Sequence, residues 1–161
     1  MRLLFSLLLF CSLSAAATDS TRLYNPLANA RKDMAVALQR AKAEKKHVLI
    51  QVGGNWCVWC YRFNAFTHAD TTISALLHDN YVVYHLNYSK ENKNLDYLAE
   101  LGYPQRFGFP VLLVLDASGK VLHTQDSGLL EKGNGYDRDR VIGLLQNWSP
   151  GALDPNLYKE N

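Results

Sequence analysis

The chain has 161 residues, 48% of them hydrophobic, and 17 Lys and Arg against 15 Asp and Glu give a formal net charge of +2. That length and apolar content suit a single domain able to bury a core without staples, and charges this balanced and dispersed offer no basic patch for nucleic acid or an anionic membrane. Three cysteines are too few for a disulfide-stapled scaffold, so any that matter are expected to act chemically rather than structurally.

Met1 and Arg2, an apolar run over residues 3–13 and the small residues Ser14, Ala15, Ala16 and Ala17 read as a secretory signal peptide. The run falls short of the ~20 apolar residues that a transmembrane helix requires. The expected division is therefore a leader over 1–17 and one domain over 18–161, in the periplasm or secreted. Cys11 leaves with the leader; lipid anchoring there is disfavoured by Phe10, which is bulky where a lipobox has a small residue.

Residues 26–46 place Leu27, Ala30, Met34, Ala37, Leu38 and Ala41 three and four apart, the spacing of an amphipathic helix, with a basic end at Lys42, Lys45 and Lys46. Residues 47–52 form a short continuous apolar run closed by Gly53 and Gly54, which fits a buried central strand. From Cys57 the pattern is helical to Phe66, breaks over 67–70 and resumes over 71–78. Residues 81–88 are β-rich and run into a polar loop, and residues 94–101 make another helix with Gly102 as its C-cap. Residues 110–115 and 120–124 flank Asp116, Ala117, Ser118 and Gly119, the pattern of a β-hairpin. The segment 128–135 reads as a surface connection, with rimming a site as the alternative, before a last helix over 137–148. The order is α-β-α-β-α-β-β-α, without repeats or a linker.

The chemistry concentrates in Trp56-Cys57-Val58-Trp59-Cys60, at the C-terminal end of the buried strand, where sites in open α/β sheets lie. Two intervening residues at a helix start let the second sulfur attack a mixed disulfide formed by the first. Unpaired helix amides and the helix dipole stabilise a thiolate on the first cysteine, which assigns attack to Cys57 and resolution to Cys60. Half a zinc site has the same spacing, but a structural zinc site needs two more good ligands, and His47, His68, His78, His85 and His123 are scattered. An inert structural disulfide is the third reading; it would close almost no loop and stabilise little.

A W-C-x-x-C after a buried strand, a strand ending in His85-Leu86-Asn87, and Phe107-Gly108-Phe109-Pro110 opening a hairpin together resemble the thioredoxin-like family. The flavour is that of bacterial secreted thiol:disulfide interchange and disulfide isomerase-like proteins. The resemblance covers about residues 46–119 and, loosely, the final helix. It implies an α/β thioredoxin-like fold, a mixed four- to five-stranded sheet flanked by helices, with Cys57 exposed, Cys60 covered and a cis Phe109–Pro110 bond. It also implies a protein-disulfide oxidoreductase, with a substrate surface at Trp56, Trp59, Phe109 and Pro110 that pairs with an extended chain. No cofactor beyond a redox-active Cys57–Cys60 disulfide, and no metal, is expected. The partners implied are protein thiols or disulfides and, as electron partner, a membrane thiol-disulfide carrier. A monomer is expected, because the dimerising domain of larger isomerases is not present.

Two departures from the family pattern bear on mechanism. In thioredoxins the strand before the motif has an acid at the position of Gln51, partnered by a lysine at that of His85. Gln51 cannot take a proton, whereas His85 would ordinarily titrate near neutrality, so the two are candidates for a proton relay, against a purely structural hydrogen-bonded pair. The dipeptide Val58-Trp59 lacks both the proline of reducing thioredoxins and the histidine of strong oxidants, leaving a slight lean to reductase or isomerase. The rival function is a binding module on the same fold, either a protein scaffold or a copper or zinc carrier using Cys57, Cys60 and a histidine. Copper carriers of this fold use a wider cysteine spacing, and Met34 is the one methionine beyond the leader.

Overall fold

A strand that is buried along its whole length, β1 (His47–Gly53), organises the molecule. It pairs in parallel with β2 (Tyr81–Asn87) on one side and antiparallel with β3 (Val111–Leu115) on the other, and β3 pairs antiparallel with β4 (Val121–Asp126). The sheet is thus mixed and four-stranded, in the order β2-β1-β3-β4. The computed structural model describes residues 22–159, so the leader expected over residues 1–17 lies outside the described residues.

The period of two along each strand divides the core. Val48, Ile50 and Val52 join Val111, Leu113 and Leu115 on the face covered by α1 (Ala30–Glu44), through Ala30, Met34, Ala37 and Ala41. Leu49, Leu112 and Val114 point the other way. They pack against α2 (Val58–Ala69), α3 (Thr71–Asn80) and α5 (Arg138–Asn147) through Phe63, Ile73, Val141 and Leu145. Cover on both faces is why β1 reads as an unbroken apolar run.

Local chemistry sets the helix ends. The side chain of Asn29 accepts the Lys32 amide, so α1 starts at Ala30 and leaves Leu27 outside it and exposed. Asp70 separates α2 from α3, accepting the Thr72 and Ile73 amides, while Arg138 of α5 holds its other oxygen at 2.6 Å. After α4 (Leu95–Glu100), Gly102 takes the left-handed conformation at φ 78°, one residue beyond the cap.

The segment 128–135 is not a plain surface connection. A 3-10 turn, Ser127–Leu130, leads into a small hairpin of β5 (Glu131–Lys132) and β6 (Gly135–Tyr136). Leu130 and Tyr136 are buried in the core on the α2 face, and this burial pins the hairpin to the domain.

Candidate active site at the N-terminus of the second helix

From Gly53 the chain turns through Gly54, Asn55 and Trp56 into α2. Cys57 is the N-cap of that helix, in extended conformation (φ −92°, ψ 99°), and its Sγ accepts the Cys60 amide at 3.1 Å. Sulfur therefore stands where an N-cap oxygen ordinarily would, sharing the Cys60 amide with the Cys57 carbonyl. Negative charge on Cys57 Sγ is favoured there by the hydrogen bond and by the helix dipole. Cys57 and Cys60 form a disulfide, with Cα atoms 5.3 Å apart. The expectation of an exposed Cys57 is corrected, since it is only 4% exposed and Cys60 is fully buried. The closed disulfide folds the Cys57 side chain into a cluster with Tyr24, which Phe109 also joins.

One flank of the dithiol is an aromatic rim. Trp56 is 56% exposed; its indole N–H donates to the Tyr88 carbonyl at 2.7 Å, and its ring meets Phe109 edge-on at 5.3 Å. Tyr88 lies 4.8 Å from Phe109, ring centre to ring centre. The pairing of Val52 with Val111 brings the cis Phe109–Pro110 bond to the end of β1, beside the cysteines. Trp59 packs against the cluster of Tyr24, Cys57 and Cys60 from the α2 side; it is half-buried against Tyr136, whose hydroxyl donates to the Trp59 carbonyl at 3.2 Å, and the Arg62 guanidinium lies 4.7 Å over its face. Of the four expected binding residues, Trp56, Phe109 and Pro110 are brought together on one flank, and Trp59 packs against the dithiol cluster from the α2 side.

The other flank is polar and largely buried. The Gln51 amide donates to Tyr24 Oη at 2.7 Å and to the Cys60 carbonyl at 3.2 Å. Tyr24, which the sequence reading missed, is 1% exposed, and burial drives its hydroxyl strongly towards the neutral form. Asn55 anchors it twice, accepting the Tyr24 amide at 3.0 Å and donating to the Tyr24 carbonyl at 2.8 Å. An aromatic residue just ahead of Pro26 was the signal available, and it does not say where the ring goes. His85 is the register partner of Gln51 and meets the Tyr24 ring edge-on at 5.5 Å. The expectation that His85 titrates near neutrality is corrected: burial first, and the nearby His68 second, push it down to about 4, so it is neutral at pH 7. A cleft of about 530 Å³ along β2 reaches Gln51 and His85, with Phe63, Thr67 and His68 among its walls.

The family model described as thioredoxin-like matches residues 29–117, more than half of the chain. The chain belongs to the thioredoxin-like family. Solved structures agree at the level of fold. The disulphide isomerase from Xylella fastidiosa Temecula1 superposes with a TM-score of 0.67 at 23% identity, over 78% of this chain and 95% of its own. A thioredoxin from Thermus thermophilus gives 0.51 at 18% identity, over 70% and 81%. The C-terminal domain of Neisseria meningitidis DsbD, in its oxidised form, gives 0.50 at 16% identity, over 74% and 97%. No curated protein matches the chain.

In this thioredoxin-like protein the cysteine pair is placed for thiol-disulfide chemistry, one sulfur on a helix N-terminus and the other beneath it. A metal shared by the two cysteines would need further ligands, and among the described residues no group of three His, Cys, Asp or Glu side chains is placed to hold an ion. Nor, among the described residues, is any helix long and apolar enough to cross a membrane.

Proposed function

We propose that the protein is an exported protein-disulfide oxidoreductase that works through Cys57 and Cys60, in the reductase or isomerase direction. The observation that carries this reading is the acceptance of the Cys60 amide by Cys57 Sγ at the N-terminus of α2, in a thioredoxin-like fold. In the reducing direction the Cys57 thiolate attacks a substrate disulfide, and one substrate sulfur departs with the electron pair of the broken bond. Cys60, as thiolate, then attacks Cys57 Sγ; the Cys57–Cys60 bond closes and the second substrate sulfur leaves. Two electrons pass to the substrate, whose thiolates take up the two protons given by the dithiol. A protein dithiol, a membrane-embedded carrier in this reading, restores the reduced form. Trp56, Phe109 and Pro110 form the surface on which an extended substrate segment lies, and Trp59, packed against the cysteine cluster, backs the dithiol from the α2 side.

Equilibration in glutathione or dithiothreitol buffers, followed by Trp56 and Trp59 fluorescence, tests the reading. A reversible two-electron transition is expected. A potential near about −270 mV makes the protein a reductant, and one between about −180 and −120 mV an isomerase or oxidant. Cys57→Ser is expected to abolish exchange and Cys60→Ser to accumulate mixed disulfides; normal turnover by Cys60→Ser would overturn the two-cysteine mechanism. Export is tested by N-terminal sequencing of the protein expressed with its leader, with a new terminus near Thr18 expected.

A further inference from the structure

Resolution of the mixed disulfide requires a thiolate on Cys60, a fully buried residue, and the side chain that reaches towards it from β1 is Gln51, which cannot accept its proton. We propose that the Tyr24 hydroxyl steadies the Cys60 thiolate by donating a hydrogen bond across the gap at Gly53, with Gln51 aiming that hydroxyl. This inference rests on the exchange reading above and assigns Tyr24 and Gln51 as positioning residues.

Three observations converge on it. The first is the gap: a Cβ added at Gly53 would overlap Cys60 Sγ and stand 2.7 Å from Tyr24 Oη, so the sulfur and the phenol oxygen border the same small space. Glycine weakens a strand interior, and Gly53 is not among the positive-φ glycines, so close approach and not backbone conformation accounts for it. The second is the direction of the hydroxyl. Tyr24 Oη accepts from Gln51 at 2.7 Å and, among the described residues, makes no other hydrogen bond, which leaves the phenolic proton to donate. The third is what the surrounding groups do. The Tyr61 hydroxyl donates to Asn55, the Tyr136 hydroxyl to the Trp59 carbonyl, and His68 Nδ1 engages the Asn64 carbonyl. His85, on β2, is neutral at pH 7 and meets the Tyr24 ring, not the sulfur.

In a dry interior a single donor to a thiolate is worth more than in water. Tyr24 stays a neutral phenol throughout. Cys60 loses its proton to solvent, its sulfur bonds to Cys57 Sγ, and the Cys57–substrate bond breaks. The substrate sulfur leaves with the electron pair and recovers a proton from solvent.

The test uses Cys57→Ser, in which Cys60 is the one thiol at the site, and follows thiolate ultraviolet absorbance against pH. Adding Tyr24→Phe, which keeps the ring, is expected to raise the apparent pKa of Cys60 by about one to two units, the size of a hydrogen bond to a charged acceptor. With Cys57 restored, Tyr24→Phe should slow single-turnover resolution at neutral pH about tenfold relative to attack. An unchanged Cys60 titration in the double variant overturns the proposal. Should Tyr24→Phe fail to fold, the ring-carbon NMR shift of Tyr24 in Cys57→Ser alone decides: it must move with the Cys60 titration, and a flat response overturns the proposal. The two readings fail separately. A wild type without any thiol-disulfide exchange defeats the proposed function, whereas exchange with a Cys60 titration indifferent to Tyr24 defeats only this assignment.

Discussion

Gly53 and Gly54 are chain neighbours, yet each clears space for a different half of the dithiol. A Cβ on Gly53 would meet Cys60 Sγ and Tyr24, whereas one on Gly54 would meet the Trp56 indole and stand 2.6 Å from the Tyr88 carbonyl. Successive residues of extended chain send their Cβ atoms to opposite sides, so one dipeptide serves both flanks. On the Cys57 flank lie the exposed Trp56 and the half-buried Phe109 and Tyr88, and on the Cys60 flank the buried Tyr24 and Gln51, with a cleft along β2 leading to Gln51. The sulfurs are bonded to one another but differ in what surrounds them. That difference supports distinct duties: meeting the substrate on one side, and generating a buried thiolate on the other.

The strongest way to break this comparison is to fill the two spaces in turn. Gly53→Ala is expected to destabilise the oxidised protein by about 2–3 kcal/mol, the upper part of the range for overpacking a tight interior, and to slow resolution by Cys60. Gly54→Ala should cost a similar amount, about 2–3 kcal/mol, because its Cβ meets the Tyr88 backbone carbonyl as well as the half-exposed indole, and should act mainly on protein substrates. Urea titrations and single-turnover exchange measure both effects. Identical kinetic profiles for the two variants would erase the distinction between the flanks.

The buried flank should also be visible in the pH dependence of stability. His85 falls from its ordinary 6.5 to about 4 through burial first and the neighbouring His68 second. As the pH drops, the unfolded chain therefore takes the proton before the folded one does. The contribution is full above about pH 6.5 and is lost progressively as pH falls through about 4. Discounted for partial solvent access, the wild type is expected to lose about 2 kcal/mol more than His85→Gln between those limits. Parallel urea curves for the two proteins would show that the flank admits water and charge freely.

The open flank gives a smaller effect. Trp56→Phe keeps an aromatic edge against Phe109 but removes the donor to the Tyr88 carbonyl. A hydrogen bond of ordinary strength corresponds to a loss of about two- to tenfold in kcat/KM for a protein substrate, with a lesser change for dithiothreitol. Equal losses with both would mean that Trp56 shapes the dithiol itself and not the surface beside it.

Where sequence and structure agree, the signal was local. The CxxC spacing, the apolar run of β1, the hairpin around Asp116 and Gly119, and the Phe109–Pro110 segment are each written in a few adjacent residues. Burial and long-range approach are not. Nothing near Tyr24 indicates that its hydroxyl ends beside Cys60, and the depressed proton affinity of His85 exists only once β2 and α2 enclose it. Trp56 and Trp59 look alike in the motif, but Trp56 precedes the N-cap and stays outside α2 whereas Trp59 sits in its first turn, so one ring meets solvent and the other Tyr136. The hairpin of β5 and β6 escaped because two-residue strands are too short to show a period.

That hairpin gives the finest test of the comparison, because it touches the dithiol helix from outside both flanks. Tyr136 packs edge-on against Trp59 and Phe63, and its hydroxyl donates to the Trp59 carbonyl at 3.2 Å, inside the first turn of α2. Tyr136→Phe keeps the rings together and removes the hydroxyl's hydrogen bonds to the Trp59 carbonyl and to Ser127, so the expected loss is about 1–2 kcal/mol. If the hairpin steadies the turn that presents Cys57, amide exchange at Cys60 and Tyr61 should quicken while α5 keeps its protection. Uniform quickening across the domain would instead make Tyr136 a general core residue, and would leave the first turn of α2 to be held by Cys57 and its own flanks.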